Sequence, residues 1–308
     1  MAKYVFGPVP SRRLGFSLGV DVVPYKHCPF DCIYCQIGKT TCIETERHEF
    51  VDPHLVLDEI AEKIRTAERI DHISFSGSGE PTLNRNIGMM IREVKRITSI
   101  PVAVITNGAL LNNEDVRKDL MSSDVVLPSL DAASEDVFRF INKPDESIDL
   151  ESVINGLKLF RKEYNGKIWL EIMLIKNVND GAEELKNFKK LLPEIQADKI
   201  QLNTVERPPS DGTAAKLNSA EMEHIREYLG GESEIICGFE KTVAQVQSED
   251  WSAKILEILQ RRSLTLEDIV RITGISSKKA RNRLKLLENR GLIKSYIFHD
   301  DVFYMRTD

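Results

Sequence analysis

The chain has 308 residues, of which 42% are hydrophobic, and carries 42 Lys and Arg against 48 Asp and Glu for a net charge of −6. This length can bury a full core and predicts two domains. It contains no apolar run near the ~20 residues that span a bilayer, no signal-peptide core and only five Cys. We therefore expect a cytoplasmic protein without a membrane or disulfide framework.

Charge is distributed unevenly along the chain. Residues 251–308 hold 12 Lys and Arg against 7 Asp and Glu, a net charge of +5, whereas residues 1–250 hold 30 against 41, a net charge of −11. Such asymmetry predicts a separate basic module with an anionic or protein partner.

Short β-branched runs alternate with amphipathic helical patterns through the first 210 residues. This alternation predicts an α/β protein with a parallel sheet, built as a partial (β/α)6 TIM-like barrel whose functional end lies at the carboxyl ends of the strands. The predicted strands are Ser17–Val23, His72–Ser76, Val102–Thr106, Val125–Ser129, Ile168–Ile175 and Lys199–Thr204. The predicted helices are Pro53–Ala67, Asn86–Ile97, Asn113–Met121, Ser134–Ile141, Leu150–Tyr164 and Ala182–Leu191.

The remainder of the chain has a different pattern. A helix at Ser219–Leu229 and a short strand near Ile235–Cys237 predict an extension of the barrel or a linker. From Trp251 onward, three helical segments followed by a hairpin with its turn at His299-Asp300-Asp301 predict a winged helix-turn-helix. We therefore expect a barrel at 1–217, an extension and linker at 218–248, and a winged helix-turn-helix at 249–308.

Three cysteines crowd the loop that follows the first predicted strand. Cys28, Cys32 and Cys35 offer three thiolates within eight residues, whereas an iron–sulfur cluster normally takes four. Three ligands leave one iron open, which indicates chemistry rather than structure. The alternative is a zinc site completed by Cys42 or His27, although structural zinc sites usually come as two separated ligand pairs. Cys42 and Cys237 are otherwise interpreted as small buried residues, with a redox or auxiliary role left open for Cys42.

The spacing C-x3-C-x-aromatic-C resembles that of the radical S-adenosylmethionine (SAM) superfamily. The resemblance implies a [4Fe-4S] cluster on Cys28, Cys32 and Cys35, with the open iron binding SAM. It also implies reductive cleavage of SAM to a 5′-deoxyadenosyl radical, fed by a low-potential donor of the flavodoxin or ferredoxin type. Tyr34, just before the third Cys, corresponds to the aromatic residue that contacts the adenine of SAM.

Motifs at the predicted strand ends match further SAM contacts of that superfamily. Gly77-Ser78-Gly79-Glu80 resembles the motif whose backbone and Glu bind the SAM amino group, with Ser78 in place of a Gly. Ser129 and Asp131 correspond to the contacts with the ribose, and both lie on the same face of a strand. The remaining candidates are Asn107 after the third strand, Glu171 within the fifth and Arg207 after the sixth. The alternatives for these positions are turns, helix caps or surface residues.

The segment from Phe6 to Asp21 further resembles the wyosine-synthase-like Fe–S oxidoreductases, a subgroup whose namesakes modify tRNA. The chain lacks the additional N-terminal Cys of true wyosine synthases, so their second cluster is not expected. The leading hypothesis is a radical SAM enzyme of unknown substrate. An RNA would contact the basic tail (Lys278, Lys279, Arg281, Arg283, Lys285), whereas a protein or peptide would dock on the winged helix. A cluster-containing DNA-binding regulator is the further alternative.

Overall fold

The computed structural model describes residues 4–236, 251–298 and 301–307. Within residues 4–236 the strands are β1 Val5–Ser11, β2 Gly15–Val20, β3 His27–Cys28, β4 Cys42–Ile43, β5 His72–Phe75, β6 Val102–Thr106, β7 Val125–Pro128, β8 Lys167–Leu174, β9 Lys199–Thr204 and β10 Ser233–Ile235. Eight of them form one sheet in the order β1-β2-β5-β6-β7-β8-β9-β10. β1 runs antiparallel to β2, and each later neighbour in the order is parallel to the one before it. The predicted partial barrel is confirmed.

Helices alternate with these strands as the amphipathic patterns predict. They are α1 Pro53–Thr66, α2 Ile87–Ile97, α3 Glu114–Leu120, α4 Glu135–Asn142, α5 Leu150–Glu163, α6 Ala182–Ile195 and α7 Ser219–Leu229. Short polar side chains begin several of them: Asp52, Asn113 and Asp149 each accept a hydrogen bond from a backbone N–H of the first turn. Buried residues of strands and helices, such as Phe75 and Phe188, form one large core.

The two edges of the sheet depart from the prediction. β1 forms an antiparallel hairpin with β2, whereas the first strand predicted from the sequence began at Ser17. At the other edge, the strand expected near Ile235–Cys237 lies at Ser233–Ile235 and pairs with β9 as an additional parallel strand. Cys237 lies outside the described residues.

The winged helix-turn-helix module (residues 251–307) is also confirmed. Its elements are α8 Trp251–Leu259, β11 Leu264–Thr265, α9 Leu266–Thr273, α10 Ser277–Asn289, β12 Ile293–Phe298 and β13 Asp301–Arg306. Thr265 caps α9 in a reciprocal capping box, and Gly274 ends that helix with a φ of 66°. β12 and β13 form the predicted hairpin, although His299 and Asp300 of its turn lie outside the described residues.

The winged helix-turn-helix module packs directly on the hairpin at the first edge of the barrel. Phe6 and Val9 of β1 belong to the same buried cluster as Trp251 and Ile255 of α8. This contact joins the module to the barrel. The domain boundaries expected at residues 217 and 248 stay a prediction. No helix in the described part of the chain is long and apolar enough to cross a membrane.

Candidate active site

The loop that follows β2 carries the three cysteines, and each of their sulfurs accepts one hydrogen bond. Asn107 Nδ2 donates to Cys28 Sγ at 3.4 Å, and Asn142 Nδ2 donates to Cys32 Sγ at 3.4 Å. Lys26 Nζ lies 3.1 Å from Cys35 Sγ. These donors come from three separate segments of the barrel, which therefore converge on this cysteine loop (residues 28–35).

Burial disfavours ionisation of two of the three thiols, and the three sulfurs are spread apart. Burial, followed by the charge of Glu80, raises the pKa of Cys28 to about 12, and burial also raises that of Cys32. A bound metal cation reverses this effect because it deprotonates its thiol ligands. Among the described residues, the three sulfurs do not form a set whose ligand atoms all lie within 4.8 Å of one another. This spacing is wider than that of ligands around one ion.

Cys42 belongs to a different cluster of polar side chains. Its thiol lies within 4.8 Å of a ligand atom on each of His27 and Glu44, and the His27 and Glu44 side chains also contact each other directly. β3 and β4 bring them together, because His27 pairs with Cys42 in the parallel register of these two short strands. His27, Cys42 and Glu44 thus form a separate group of polar side chains beside the cysteine loop.

The turn after β5 packs against the cysteine loop through its backbone. Glu80 N donates to His27 O at 3.0 Å, and Lys26 N donates to Ser78 O at 2.8 Å. A Cβ atom on Gly79 would lie 2.1 Å from the carbonyl oxygen of His27, so this close approach requires glycine. The motif Gly77–Glu80 and the cysteine loop are thus held together by backbone hydrogen bonds.

The carboxylate of Glu80 is buried and well supplied with donors. Oε1 accepts from both hydroxyls of Thr82 and Thr106 at 2.6 Å and from Thr82 N at 3.1 Å, while Oε2 accepts from Asn107 N at 2.7 Å. Burial raises the pKa of Glu80, although these donors oppose the shift. Oε2 retains acceptor capacity, so the predicted contact with an ammonium group stays a prediction.

Tyr34 and Asp131 also meet, together with an asparagine that the sequence patterns missed. Tyr34 Oη donates to Asp131 Oδ2 at 2.6 Å, and Asn142 Nδ2 donates to the same oxygen at 2.9 Å. Met173 N donates to Oδ1 at 2.9 Å. Burial raises the pKa of Asp131 to about 6, against the effect of these three donors. Asn142 therefore links Asp131 to Cys32.

Glu171 lies on β8 and is paired, as the cost of burying a lone carboxylate predicts. Its Oε2 contacts Arg13 directly, and its Oε1 accepts from Asn203 Nδ2 at 2.8 Å. The backbone of Ser129, just after β7, forms a parallel β-bridge with that of Glu171. These polar residues therefore come from the turn after β1 and from three neighbouring strands, β7, β8 and β9.

A single cavity of about 380 Å³ unites these groups. Its lining includes Cys28 and Cys35 of the cysteine loop and Arg207, which follows β9. Further lining residues predicted from the sequence are Tyr34, Gly77, Gly79, Glu80, Asn107, Ser129, Asp131 and Glu171. Ser78 is buried beside this cavity, where its hydroxyl donates to Asp21 Oδ2 at 2.6 Å.

Comparison with known proteins agrees with this arrangement. Residues 22–192 match the family described as the Radical SAM superfamily. The chain belongs to the radical SAM superfamily. Residues 253–295 match the family described as bacterial regulatory protein, arsR family, in agreement with the winged helix-turn-helix module. Membership of this superfamily supports an enzyme and implies a [4Fe-4S] cluster and SAM.

Three similar proteins illustrate how far the likeness of this radical SAM protein extends. The UPF0026 protein MJ1312 of Methanocaldococcus jannaschii is 33% identical over 311 residues, covering 98% of this chain and 95% of that protein, so the chain also belongs to that family. A Brachyspira hyodysenteriae protein named GTPase Obg is 42% identical over 247 residues, covering 80% of this chain but only 36% of that relative. A structure of TYW1 with a lysine-pyruvate adduct bound shares the fold, with a TM-score of 0.54, 21% identity and coverage of 73% of this chain and 75% of that one.

The radical SAM motifs were readable from the sequence, but their supporting residues were not. Lys26 and Asn142 approach the cysteine sulfurs, yet neither belongs to a recognisable spacing pattern. Arg261 and Arg262 line the cavity although they come from the winged helix-turn-helix module. Only the basic composition of that module gave a signal for them.

Proposed function

We propose that this protein is a radical SAM enzyme whose Cys28, Cys32 and Cys35 hold a [4Fe-4S] cluster. The observation that carries the proposal is the placement of three partly buried thiols, each with a side-chain hydrogen-bond donor, in one loop of which Cys28 and Cys35 line a cavity at the carboxyl ends of the strands. When bound, the cluster supplies the electron that cleaves SAM to methionine and a 5′-deoxyadenosyl radical. A flavodoxin-type or ferredoxin-type reductant is the proposed source of that electron.

The side chains around the cysteine loop have separate roles in this proposal. Lys26, Asn107 and Asn142 donate to the sulfurs and so stabilise negative charge on them. The backbone from Gly77 to Glu80 gives the amino group of SAM a close approach beside the cysteine loop.

The contacts with the remainder of SAM come from other elements. Tyr34 and Asp131 would orient its adenosyl moiety, because both line the cavity beside Cys28. Ser129 and Glu171 complete the polar lining at the ends of β7 and β8. These residues bind and orient SAM and limit the access of water.

The test is the formation of 5′-deoxyadenosine by the anaerobically reconstituted full chain with SAM and a low-potential reductant. We expect product from the wild type and from Cys42→Ala, and no product with loss of bound iron in Cys28→Ala, Cys32→Ala and Cys35→Ala. A wild-type protein that binds zinc rather than iron and forms no product would contradict the proposal.

We further propose that the substrate is an RNA, because α10 presents an unpaired basic face. Lys278, Lys279, Arg281 and Lys285 are all exposed, and within the described residues none of them has a carboxylate within 4.0 Å. A row of free cations on a winged helix suits the phosphate backbone of a nucleic acid.

The RNA proposal is tested by a gel shift with bulk tRNA at increasing salt and by the effect of tRNA on 5′-deoxyadenosine formation. We expect binding that weakens steeply with salt and stimulation of product formation. Stimulation by a peptide fraction instead of tRNA would favour a protein substrate. Tight binding of duplex DNA without 5′-deoxyadenosine formation would favour a regulator.

A further inference from the structure

Three arginines enter the cavity from separate segments of the chain. Arg12 comes from the turn between β1 and β2, Arg207 follows β9, and Arg262 follows α8 of the winged helix-turn-helix module. We call these three residues the arginine group. Across the parts of the chain that the structure describes, none of them has a carboxylate oxygen within 4.0 Å. Three guanidinium charges therefore share one cavity without an ion-pair partner.

Two arginines next to members of the arginine group do have carboxylate partners. Arg13, next to Arg12, is paired with Glu171, and Arg261, next to Arg262, is paired with Asp21 at 2.9 Å. In both pairs of adjacent arginines, 12–13 and 261–262, one guanidinium forms an ion pair within the protein and the other does not.

The contacts of the arginine group with the protein are to neutral acceptors and are few. Arg12 Nη1 donates to Asn203 Oδ1 and to Ile236 O, both at 3.0 Å. Arg207 Nη1 donates to Gln36 Oε1 at 3.2 Å, and Arg262 Nη1 donates to Pro10 O at 3.3 Å. A guanidinium has five N–H donors, so most of this capacity remains unused.

Arg262 gives the clearest sign of a missing partner. Its Nε and Nη2 atoms are fully buried and have no hydrogen-bond partner. Leaving a buried charged donor unsatisfied is costly, and native structures rarely keep such a donor without a ligand or an ion to fill it.

The arginine group is also under mutual repulsion. Burial, followed by the positive charge of Arg262, lowers the pKa of Arg207 to about 10. Burial and the charge of Arg207 lower the pKa of Arg12. Burial also lowers the pKa of Arg262, where the negative charge of Asp268 opposes the shift and the positive charge of Arg12 adds to it. An anion placed among them would relieve this repulsion and satisfy the unused donors.

We propose that Arg12, Arg207 and Arg262 bind a phosphate group of the substrate inside the cavity. This inference rests on the proposed function, because it assigns a substrate group to the same site. Planar guanidinium groups match phosphate oxygens in pairs, and a phosphate monoester, such as the 5′ end of an RNA or a small phosphorylated substrate, offers three oxygens and up to two negative charges to three arginines. The carboxylate of SAM offers two oxygens and one charge, which fits the arginine group less well.

The first experiment measures thermal unfolding of the anaerobic full-length holoprotein with increasing inorganic phosphate at constant ionic strength. Phosphate is expected to raise the Tm of the wild type. In Arg12→Gln, Arg207→Gln and Arg262→Gln the apparent phosphate affinity should fall about tenfold or more, since each change removes charged hydrogen bonds. Arg92→Gln, which alters an exposed arginine on α2, should respond as the wild type does.

The same variants give a second readout that a purely structural role would not produce. Without phosphate, each Gln variant should be at least as stable as the wild type, because one repelling charge is gone; with phosphate it should be less stable. The proposal is overturned if phosphate does not stabilise the wild type. It is equally overturned if the variants lose stability in both conditions while their phosphate affinity is unchanged.

Equilibrium dialysis with labelled SAM separates the two anions. Unchanged SAM binding in the three variants supports the phosphate site. Loss of SAM binding without a change in phosphate affinity would assign the arginine group to the SAM carboxylate and would overturn the proposal. Competition between bulk tRNA and phosphate would identify the phosphate as part of RNA; no competition would identify a small phosphorylated substrate. Iron content and the 5′-deoxyadenosine formed without substrate test the proposed function separately. A failure of the proposed function can therefore be distinguished from a failure of the phosphate site.

Discussion

Two sets of residues lie in or beside the cavity, and they differ in how their charges are compensated. The first set, which we call the acceptor group, comprises Cys28, Cys32 and Cys35 with Glu80 and Asp131. Each of its members accepts at least one hydrogen bond from a side-chain or backbone donor, and for all but Cys35 that donor comes from another segment of the chain. The second set is the arginine group, whose members have neutral partners or, for two nitrogens of Arg262, none.

This difference indicates that the two sets await charges of opposite sign. Burial raises the pKa of Cys28 and Cys32, so these thiols ionise most readily against a cationic metal centre. Burial lowers the pKa of all three members of the arginine group, so their charges are best stabilised by an anion. Under the proposed function, such a site would bring a metal centre and an anionic substrate group into one cavity.

The largest effect is expected where an arginine of the cavity already has a partner. Arg261 Nε donates to Asp21 Oδ2 at 2.9 Å, and both side chains are at most 10% exposed. Because Arg261→Gln leaves the carboxylate of Asp21 buried without its cation, we expect the free energy of unfolding to fall by about 3–5 kcal/mol. Chemical denaturation of the anaerobic protein measures this loss.

The comparison is sharpened by Arg262→Gln, the matched change at the neighbouring position without an ion pair. It should not destabilise the phosphate-free protein, and Asp21→Asn combined with Arg261→Gln should recover part of the loss. Equal losses for the two arginines would contradict the distinction between paired and unpaired charges.

A smaller loss of unfolding free energy is expected where the turn after β5 contacts the cysteine loop. Gly79→Ala would place a Cβ atom 2.1 Å from His27 O and 3.0 Å from Val23 Cγ2, so the backbone must shift. We expect a loss of about 1–3 kcal/mol in unfolding free energy. Weaker SAM binding should accompany it, measured by equilibrium dialysis. Gly212→Ala is the matched control, since a Cβ there has no atom within 4 Å; equal effects of both changes would refute the close-contact explanation.

The acceptor group could be predicted from the sequence because its key residues are local in the chain. The spacing of the cysteines and the turn from Gly77 to Glu80 each lie within one loop that follows a predicted strand, and alternating periodicity places both loops at the same end of the barrel. Asn142 escaped prediction because its contact with Cys32 joins residues 110 positions apart.

The arginine group could not be predicted for a related reason. Arg12 lies in a hairpin whose first strand was not predicted, and Arg262 belongs to a module that the sequence suggested was separate. Packing of Phe6 and Val9 against α8 brings that module to the cavity. No pattern of periodicity within one segment encodes such a contact between segments.

A third prediction concerns the donors of the acceptor group. Asn107→Ala removes the N–H···S hydrogen bond to Cys28 and should lower the reduction potential of the reconstituted cluster by about 20–60 mV. The sign follows because this bond stabilises the more negative, reduced form. A redox titration followed by electron paramagnetic resonance measures the shift. Asn112→Ala, an exposed asparagine in the same loop region, should leave the potential unchanged, and an upward shift in Asn107→Ala would reverse the assigned role.

The smallest effect is expected on the exposed basic face of α10, where charges are screened by salt. Lys279→Gln should weaken tRNA binding modestly and reduce the slope of log affinity against log salt by about one. Electrophoretic mobility shifts at several salt concentrations measure the slope. Arg262→Gln, by contrast, removes a charge from the cavity and should weaken the binding of inorganic phosphate, which Lys279→Gln should leave unchanged. If Lys279→Gln weakens phosphate binding as much as Arg262→Gln does, the contrast between a cavity anion site and an outer nucleic-acid surface is lost.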